Sequence, residues 1–514
     1  MSSLDNPVSA YFEVTPTQAT IAKNQTCQIS YSTISDGKVT FKSSAENIAT
    51  VDANGLVTAK TAGTAIITVE LAATPYYQGA TKNVEISVDA VLSIDATEVT
   101  VGYGASINLV KDYHLARKGD ATINYEIIEG GEFITLDETT KDITGKACGN
   151  AKVKVSVPAS TSASSDELVI DVKARVQNLA QLVAVIGSGD EPFAYLADGV
   201  SITLPNAGVS LSGKKVTIKG DEKKPATFVF GENGIVINDN LTIENVNIDA
   251  SATSGALIRL DNQGCEKKNQ SEFSDAAKQD VNLVDIVTIN NVMIKNLKSS
   301  IIYSNSVNWA IRDFTITNSI IQLDNGSSTF IRMDKPDGGN CSIKNINITG
   351  NTIYNLQTSS SAYFIRFCNA NNAGDVWGQR NSTSKLDWNI SNNTLIRMFT
   401  GKDFGNNIVN VAGVTNTVKD NIFYDVYRLY QYLPKNQVKI TTGNYIYWDV
   451  TAKQTNDISG SNNYKDKDGN PFATELTAKP FTYPTEALDL TKENGGLNLK
   501  PSGAANAGDP RWLK

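Results

Sequence analysis

Four short runs repeat one arrangement of residue types: Ala256-Leu-Ile-Arg-Leu-Asp, Ser300-Ile-Ile-Tyr-Ser-Asn, Thr329-Phe-Ile-Arg-Met-Asp and Tyr363-Phe-Ile-Arg-Phe-Cys-Asn. If Ile258, Ile302, Ile331 and Ile365 face inward, the two-residue period of a strand turns Arg259, Tyr303, Arg332 and Arg366 outward, with Asp261, Asn305 and Asp334 alongside. Stacked guanidinium groups repel one another. Such a row either neutralises itself on the neighbouring aspartates as a surface ladder or grips the carboxylates of an acidic chain through bidentate forks, and the sequence leaves both open.

Two long polar stretches flank these runs, residues 263–285 and 369–386, and the second carries Trp377-Gly-Gln-Arg380 and Lys385. Loops of that length commonly serve as binding walls. An exposed Trp377 would stack on a pyranose ring while Arg380 and Lys385 met its polar groups; alternatively Trp377 pins the loop to the body of the domain.

Other chemistry is closed off by composition. The 514 residues contain one histidine, His114, which removes Ser-His-Asp triads and multi-histidine zinc sites. With no second histidine near it, His114 reads as a surface or loop residue. Five widely spaced cysteines (Cys27, Cys148, Cys265, Cys341, Cys368) share no CxxC motif, so we expect buried thiols and neither a disulfide framework nor a metal knuckle. A net charge of −8 argues against a nucleic-acid partner. No apolar run is long enough for a transmembrane segment, and Met1-Ser-Ser-Leu lacks a basic-then-apolar leader.

The elements that must position the arginines follow from a second repeat. Asn245, Asn291, Asn318, Asn351, Asn393, Asn421 and Asn444 each sit among apolar residues, as in Thr288-Ile-Asn-Asn-Val-Met-Ile and Val418-Lys-Asp-Asn-Ile-Phe-Tyr. Asn tolerates left-handed backbone, and amides at equivalent turns can bond from one coil to the next. The column predicts a parallel β-helix over 176–514, with an Ile/Val/Leu interior and outward rows rising by about 4.8 Å per coil. Val176-Gln-Asn-Leu-Ala-Gln-Leu-Val-Ala-Val-Ile, stopping at Gly187-Ser-Gly, predicts a short amphipathic helix capping it.

Residues 8–88 instead alternate apolar and polar, as in Val84-Glu-Ile-Ser-Val, with Asp36-Gly and Asn54-Gly turns, and predict a β-sandwich. Asp142-Ile-Thr-Gly-Lys-Ala-Cys-Gly-Asn-Ala-Lys-Val-Lys-Val parallels Leu56-Val-Thr-Ala-Lys-Thr-Ala-Gly-Thr-Ala-Ile-Ile-Thr-Val, so a second sandwich is expected. The domains expected are 1–89, 90–175 and 176–514, an all-β chain of two tandem sandwiches and a β-helix. The sandwiches serve as a spacer or carry ligand in their loops; the spacer is the simpler expectation.

The run Val39-Thr-Phe-Lys-Ser-Ser-Ala-Glu-Asn-Ile-Ala-Thr-Val-Asp-Ala-Asn-Gly-Leu-Val resembles the bacterial Ig-like domain of group 2. Residues 176–514, through the closing Gly508-Asp-Pro-Arg-Trp512, resemble the right-handed parallel β-helices of the pectate-lyase-like superfamily. Together they resemble surface glycan-binding proteins of Bacteroidota polysaccharide-utilisation loci. That resemblance implies a lipid-anchored protein on the outer membrane that captures an acidic plant polysaccharide, pectin or homogalacturonan above all, beside a glycan-uptake complex.

The superfamily's catalytic sets are missing. There is no Gly-His-Gly or Arg-Ile-Lys; Trp309-Ala-Ile-Arg-Asp313 lacks the lyase histidine; Lys402-Asp-Phe-Gly matches the methylesterase segment poorly. The expectation is therefore binding with no catalytic residues, no cofactor and no metal. The first alternative is a calcium-dependent polysaccharide lyase, with Arg332, Arg366, Asp261, Asp334 and Lys335 neutralising a uronate and taking its proton. A structural adhesin that binds no glycan is the second.

Overall fold

The computed structural model describes residues 7–160, 165–265, 270–274, 281–334, 341–367, 376–377, 386–406, 414–429, 438–440, 442–452 and 471–513. Contacts divide the chain into two units, 1–175 and 176–514.

The first unit holds two sandwiches with separate apolar cores, one around Ile67, Val69 and Val84 and one around Val153, Ile170 and Val172. Their strand orders match. In the first, Gln18–Ala22 lies parallel to Ala80–Asp89, which pairs antiparallel with Gly63–Leu71 and then Val39–Ser43. In the second, Glu98–Gly102, Asp166–Arg175, Gly149–Val157 and Asn124–Glu129 repeat that order and those directions. The second sandwich is thus a repeat of the plan whose sequence signal is strongest in the first. Asp166 ties them: one carboxylate oxygen accepts the N–H groups of Val91 and Leu92, at 3.0 and 2.8 Å, and the other meets Lys23 Nζ at 2.5 Å. Burial opposes ionisation of this carboxyl, but the Leu92 N–H and the Lys23 ammonium outweigh it and hold it below the usual range.

The second unit is a parallel β-helix. Three parallel sheets run along it: a first of nine strands, Phe193–Tyr195 to Val438–Ile440; a second of ten, Ser201–Thr203 to Thr474–Glu475; and a third of seven, Val209–Ser210 to Gly405–Asn406. One interior column shows why these residues wind this way. Ile243, Ile289, Ile316, Ile348 and Ile390 stand in register on successive coils and are at most 1% exposed. Each such burial contributes about 2 kcal/mol, and β-branched side chains suit the pleat. The helix Leu179–Gly187 closes the first coil, its N-cap Asn178 accepting from the Gln181 N–H and its buried face formed by Leu182, Val185 and Ile186.

The asparagine repeat is two adjacent columns. Asn245, Asn291 and Asn318 occupy a left-handed corner with φ of 55°, 51° and 51°, and the corresponding residues on later coils are Gly350, Asn392, Asp420 and Gly443. Asn351, Asn393, Asn421 and Asn444 lie one residue further on, buried, each of the first three donating Nδ2 to Oδ1 of the next at 3.0 Å. Coil-to-coil amide bonding holds as expected; the shift arises because the corner needs only a positive φ, which Gly supplies as readily as Asn.

After its last strand, Thr474–Glu475, the chain returns along the outside of the second sheet. Phe481, Tyr483, Leu488, Leu499 and Trp512 pack on the outward residues Ile320, Tyr354, Ile396, Ile422 and Tyr424. Within the Gly508-Asp-Pro-Arg-Trp512 run, Asp509 accepts the Thr352 hydroxyl and the Trp512 indole donates to that hydroxyl oxygen, both at 2.7 Å. The second sheet is covered, which leaves the first and third to face a ligand.

Candidate functional site

The third sheet brings Arg259, Tyr303, Arg332 and Arg366 together. Pairing runs Ser210, Val236, Arg259, Tyr303, Arg332, Arg366, Asn406, one residue per coil in unbroken register. Their inward neighbours Ile258, Ile302, Ile331 and Ile365 are fully buried, so the row faces out.

Charge along the row is uneven. Asp334 is 4% exposed and meets two cations, accepting Nε of Arg332 at 2.8 Å and facing Nε of Arg366 at 3.3 Å. The Arg332 guanidinium also lies over the Tyr303 ring, 4.4 Å from its centroid, and the Tyr303 hydroxyl bonds with Ser306 Oγ at 2.8 Å. Both arginine side chains stay about a third or more exposed, 35% and 40%.

Arg259 has no carboxylate partner among the described residues, and its Nε is buried without a hydrogen bond. The adjacent Asp261 is occupied elsewhere, one oxygen accepting the Ser212 hydroxyl at 2.6 Å and the other the Gln263 N–H at 2.8 Å. Among the described residues Asp334 thus neutralises one of two arginines, and Arg259 adds a further charge with no carboxylate beside it. A surface ladder in balance would pair each cation; this row holds surplus positive charge at positions water and solute can reach.

Trp377 corrects the expectation of an exposed sugar platform. It is fully buried, edge-on to Phe273 at 5.0 Å in a cluster with Val281, Leu283, Ala310 and Leu386. Arg312 and Lys344 of the first sheet lie over its ring, at 5.7 and 5.5 Å, and both pair with Glu272. Trp377 therefore clamps the second long stretch onto Phe273 of the first. A large apolar ring with apolar neighbours in reach is driven from water, whatever its loop's composition. Arg380, Lys385 and Lys335 lie outside the described residues, as does Cys368. Cys148 and Cys341 are buried, but Cys27 and Cys265 are only half-buried. His114 is exposed and pairs with Asp95 at 2.6 Å, with the Asp95 hydrogen bond raising its pKa.

A second arginine cluster, unforeseen in the sequence, lies where the second sheet meets the returning segment. Arg397 donates Nε to Asp425 at 3.1 Å and Nη2 to Asp449 at 3.4 Å, and its guanidinium lies 3.7 Å from the centroid of Tyr483. Asp425 is fully buried and its other oxygen accepts the N–H groups of Asp449, Val450 and Thr451; Asp449 also accepts the Tyr424 hydroxyl and Lys479. The signal was available: Arg397 and Asp425 follow Asn393 and Asn421 by the same four residues, placing opposite charges at one position of successive coils.

Among the described residues no group of three or more His, Cys, Asp or Glu is placed to hold a metal ion, and no helix is long and apolar enough to cross a membrane.

Two family models match parts of the chain. Residues 10–74 match the bacterial Ig-like domain (group 2), which identifies the first sandwich. Residues 201–356, which include three of the four row positions, match a domain of unknown function, DUF4957. No curated protein matches. Among solved structures, the chain is similar to domains 4 and 5 of the S-layer protein SbsC, at 16% identity and a TM-score of 0.13, over 33% of this chain and 99% of that one. It is similar to Drosophila N-cadherin EC1-3, at 12% identity and TM-score 0.15, over 34% and 68%. It is also similar to a SusE-like surface located polysaccharide binding protein from the Bacteroides thetaiotaomicron heparin utilisation locus, at 14% identity and TM-score 0.17, over 32% and 34%. Likeness at these scores says nothing of what this chain binds.

Proposed function

We propose that the protein binds an acidic polysaccharide along its third sheet without turning it over, at a cell surface where the two sandwiches space the β-helix from its anchor. The observation that carries this reading is the in-register row of Arg259, Arg332 and Arg366, in which, among the described residues, one buried aspartate serves two arginines and Arg259 has no carboxylate. Guanidinium forks half open to solvent suit carboxylates spaced along a chain, and coils stacked at about 4.8 Å give a linear polymer repeated contacts. Within this reading the ligand is a pectin-type acidic chain, with homogalacturonan its simplest probe, the anchor is a lipid on the outer membrane, and the bound chain passes to a glycan-uptake complex. Neither cofactor nor metal is needed for capture.

Calorimetric titration of the full chain with polygalacturonate at low and high salt tests it. Binding should be saturable and weaken with salt, and Arg332→Ala with Arg366→Ala should lower affinity about tenfold or more. The same mixtures should give no unsaturated-product absorbance; a rise that depends on calcium would replace capture with the lyase reading. Absence of binding to pectins, alginate and glycosaminoglycans alike would leave the adhesin.

A further inference from the structure

The row's charges are not evenly spaced. Rungs rise by about 4.8 Å, so Arg259 and Arg332 stand two rungs, about 10 Å, apart, and the rung between them carries Tyr303. That tyrosine does not present an open face to solvent on the Arg332 side, because the Arg332 guanidinium lies 4.4 Å from its centroid. Its hydroxyl is engaged with Ser306. Arg366, one rung beyond Arg332, shares Asp334 with it, so the two together hold a single surplus charge. The row therefore offers one positive centre at Arg259, an uncharged rung at Tyr303, and one positive centre at the Arg332–Asp334–Arg366 group.

A pyranose in an extended 1,4-linked chain advances by about the height of one rung. We infer that the row reads an acidic glycan whose charged groups recur once per disaccharide on the face toward the protein, with one acidic sugar at Arg259, an uncharged face over Tyr303 and the next acidic sugar at Arg332. This rests on the acidic-glycan reading above and sharpens it to a charge period. An additional carboxylate over Tyr303 would find no cation of its own among the described residues: it would have to share the Arg332 guanidinium, which is already bound to Asp334 and stacked on the ring, and be desolvated there.

The test compares two tetrasaccharides with the intact protein by calorimetry: one alternating uronate with neutral N-acetylhexosamine, carrying two carboxylates, and one of four galacturonates. Pure charge attraction makes the second tighter. The inferred period makes the alternating tetrasaccharide at least as tight, and Tyr303→Arg, which puts a cation on the uncharged rung, should shift preference toward the galacturonate tetramer by about tenfold. Arg259→Ala should weaken the alternating tetrasaccharide about tenfold yet leave its disaccharide unchanged, because the disaccharide already fits at Arg332. Galacturonate binding more than tenfold tighter in the unaltered protein, or no change of preference in Tyr303→Arg, overturns the inference while leaving acidic-glycan binding intact. Failure of both tetrasaccharides, with no effect of Arg332→Ala on either, defeats the reading beneath it. Circular dichroism and the unfolding midpoint of Tyr303→Arg establish that the variant is folded.

Discussion

Arg332 and Arg397 are alike in kind: each donates Nε to an aspartate and lies over a tyrosine ring, at 4.4 Å for Tyr303 and 3.7 Å for Tyr483. Their surroundings differ. The Arg397 side chain is 7% exposed, and with Lys479 it faces the two carboxylates of Asp425 and Asp449, so charges balance. Among the described residues, the third-sheet row sets three half-open arginines against Asp334 alone. An ion that has left water needs its full complement of partners, whereas a half-solvated guanidinium tolerates a shortfall, and only the latter has capacity left for a ligand. The Arg397 cluster rivets the returning segment to the β-helix; the third-sheet row keeps its arginines within reach of solvent.

The largest expected effect would break the comparison if absent. Asp425→Ala strands Arg397 and frees the three N–H groups of residues 449–451, and it should cost the 176–514 unit about 3–5 kcal/mol in chemical denaturation. Arg366→Ala, by contrast, should cost below about 1 kcal/mol, the range of a solvated pair. Equal losses would mean that the row is as structural as the rivet.

A pH series separates the regions next. Burial raises the phenol pKa of Tyr354, Tyr424 and Tyr483, with Asp449 adding to the effect at Tyr424. Unfolded tyrosines ionise near pH ~10. The folded state holds its protons longer, so the stabilisation is whole below about pH 10 and declines as pH climbs beyond it toward the folded values, by about 1 kcal/mol per pH unit for each group. Denaturation midpoints for the 176–514 unit should fall as pH rises from about 10 to about 11. Polyanion binding to the third-sheet row should stay level from about pH 7 to the onset of that decline. A midpoint that does not move would show that the returning segment is not held by neutral phenols.

Period-two alternation around Ile258, Ile302, Ile331 and Ile365 made the row legible before any coordinates, because a strand fixes which way its side chains turn. It could not say which aspartate each arginine would meet. Asp261 and Asp334 occupy the same offset, and what separates them is Ser212, from a turn two coils earlier. Trp377 was ambiguous for a similar reason: its partner Phe273 lies more than a hundred residues away, and nothing local records that two insertions converge. The asparagines were read as one column because a left-handed corner and a buried amide ladder sit side by side, and Asn satisfies both. Arg397 stands outside the four repeated runs, and its match with Asp425 becomes visible only once coils are aligned.

Asp334→Asn sharpens the comparison with the smallest change in structure. The amide keeps the shape, and its oxygen can still accept Nε of Arg332, so stability should fall by about 1 kcal/mol or less while both arginines remain partly hydrated. Removing the shared anion raises the surplus at that end of the row from one charge to two. If the row is a glycan site, affinity for an acidic polymer should rise about threefold to tenfold and its salt dependence should steepen. The same substitution in a surface ladder would only weaken the fold. A variant that loses stability without gaining affinity therefore marks Arg332 and Arg366 as sheet supports, and one that gains affinity at little structural cost marks Asp334 as the residue that moderates an anion-binding row.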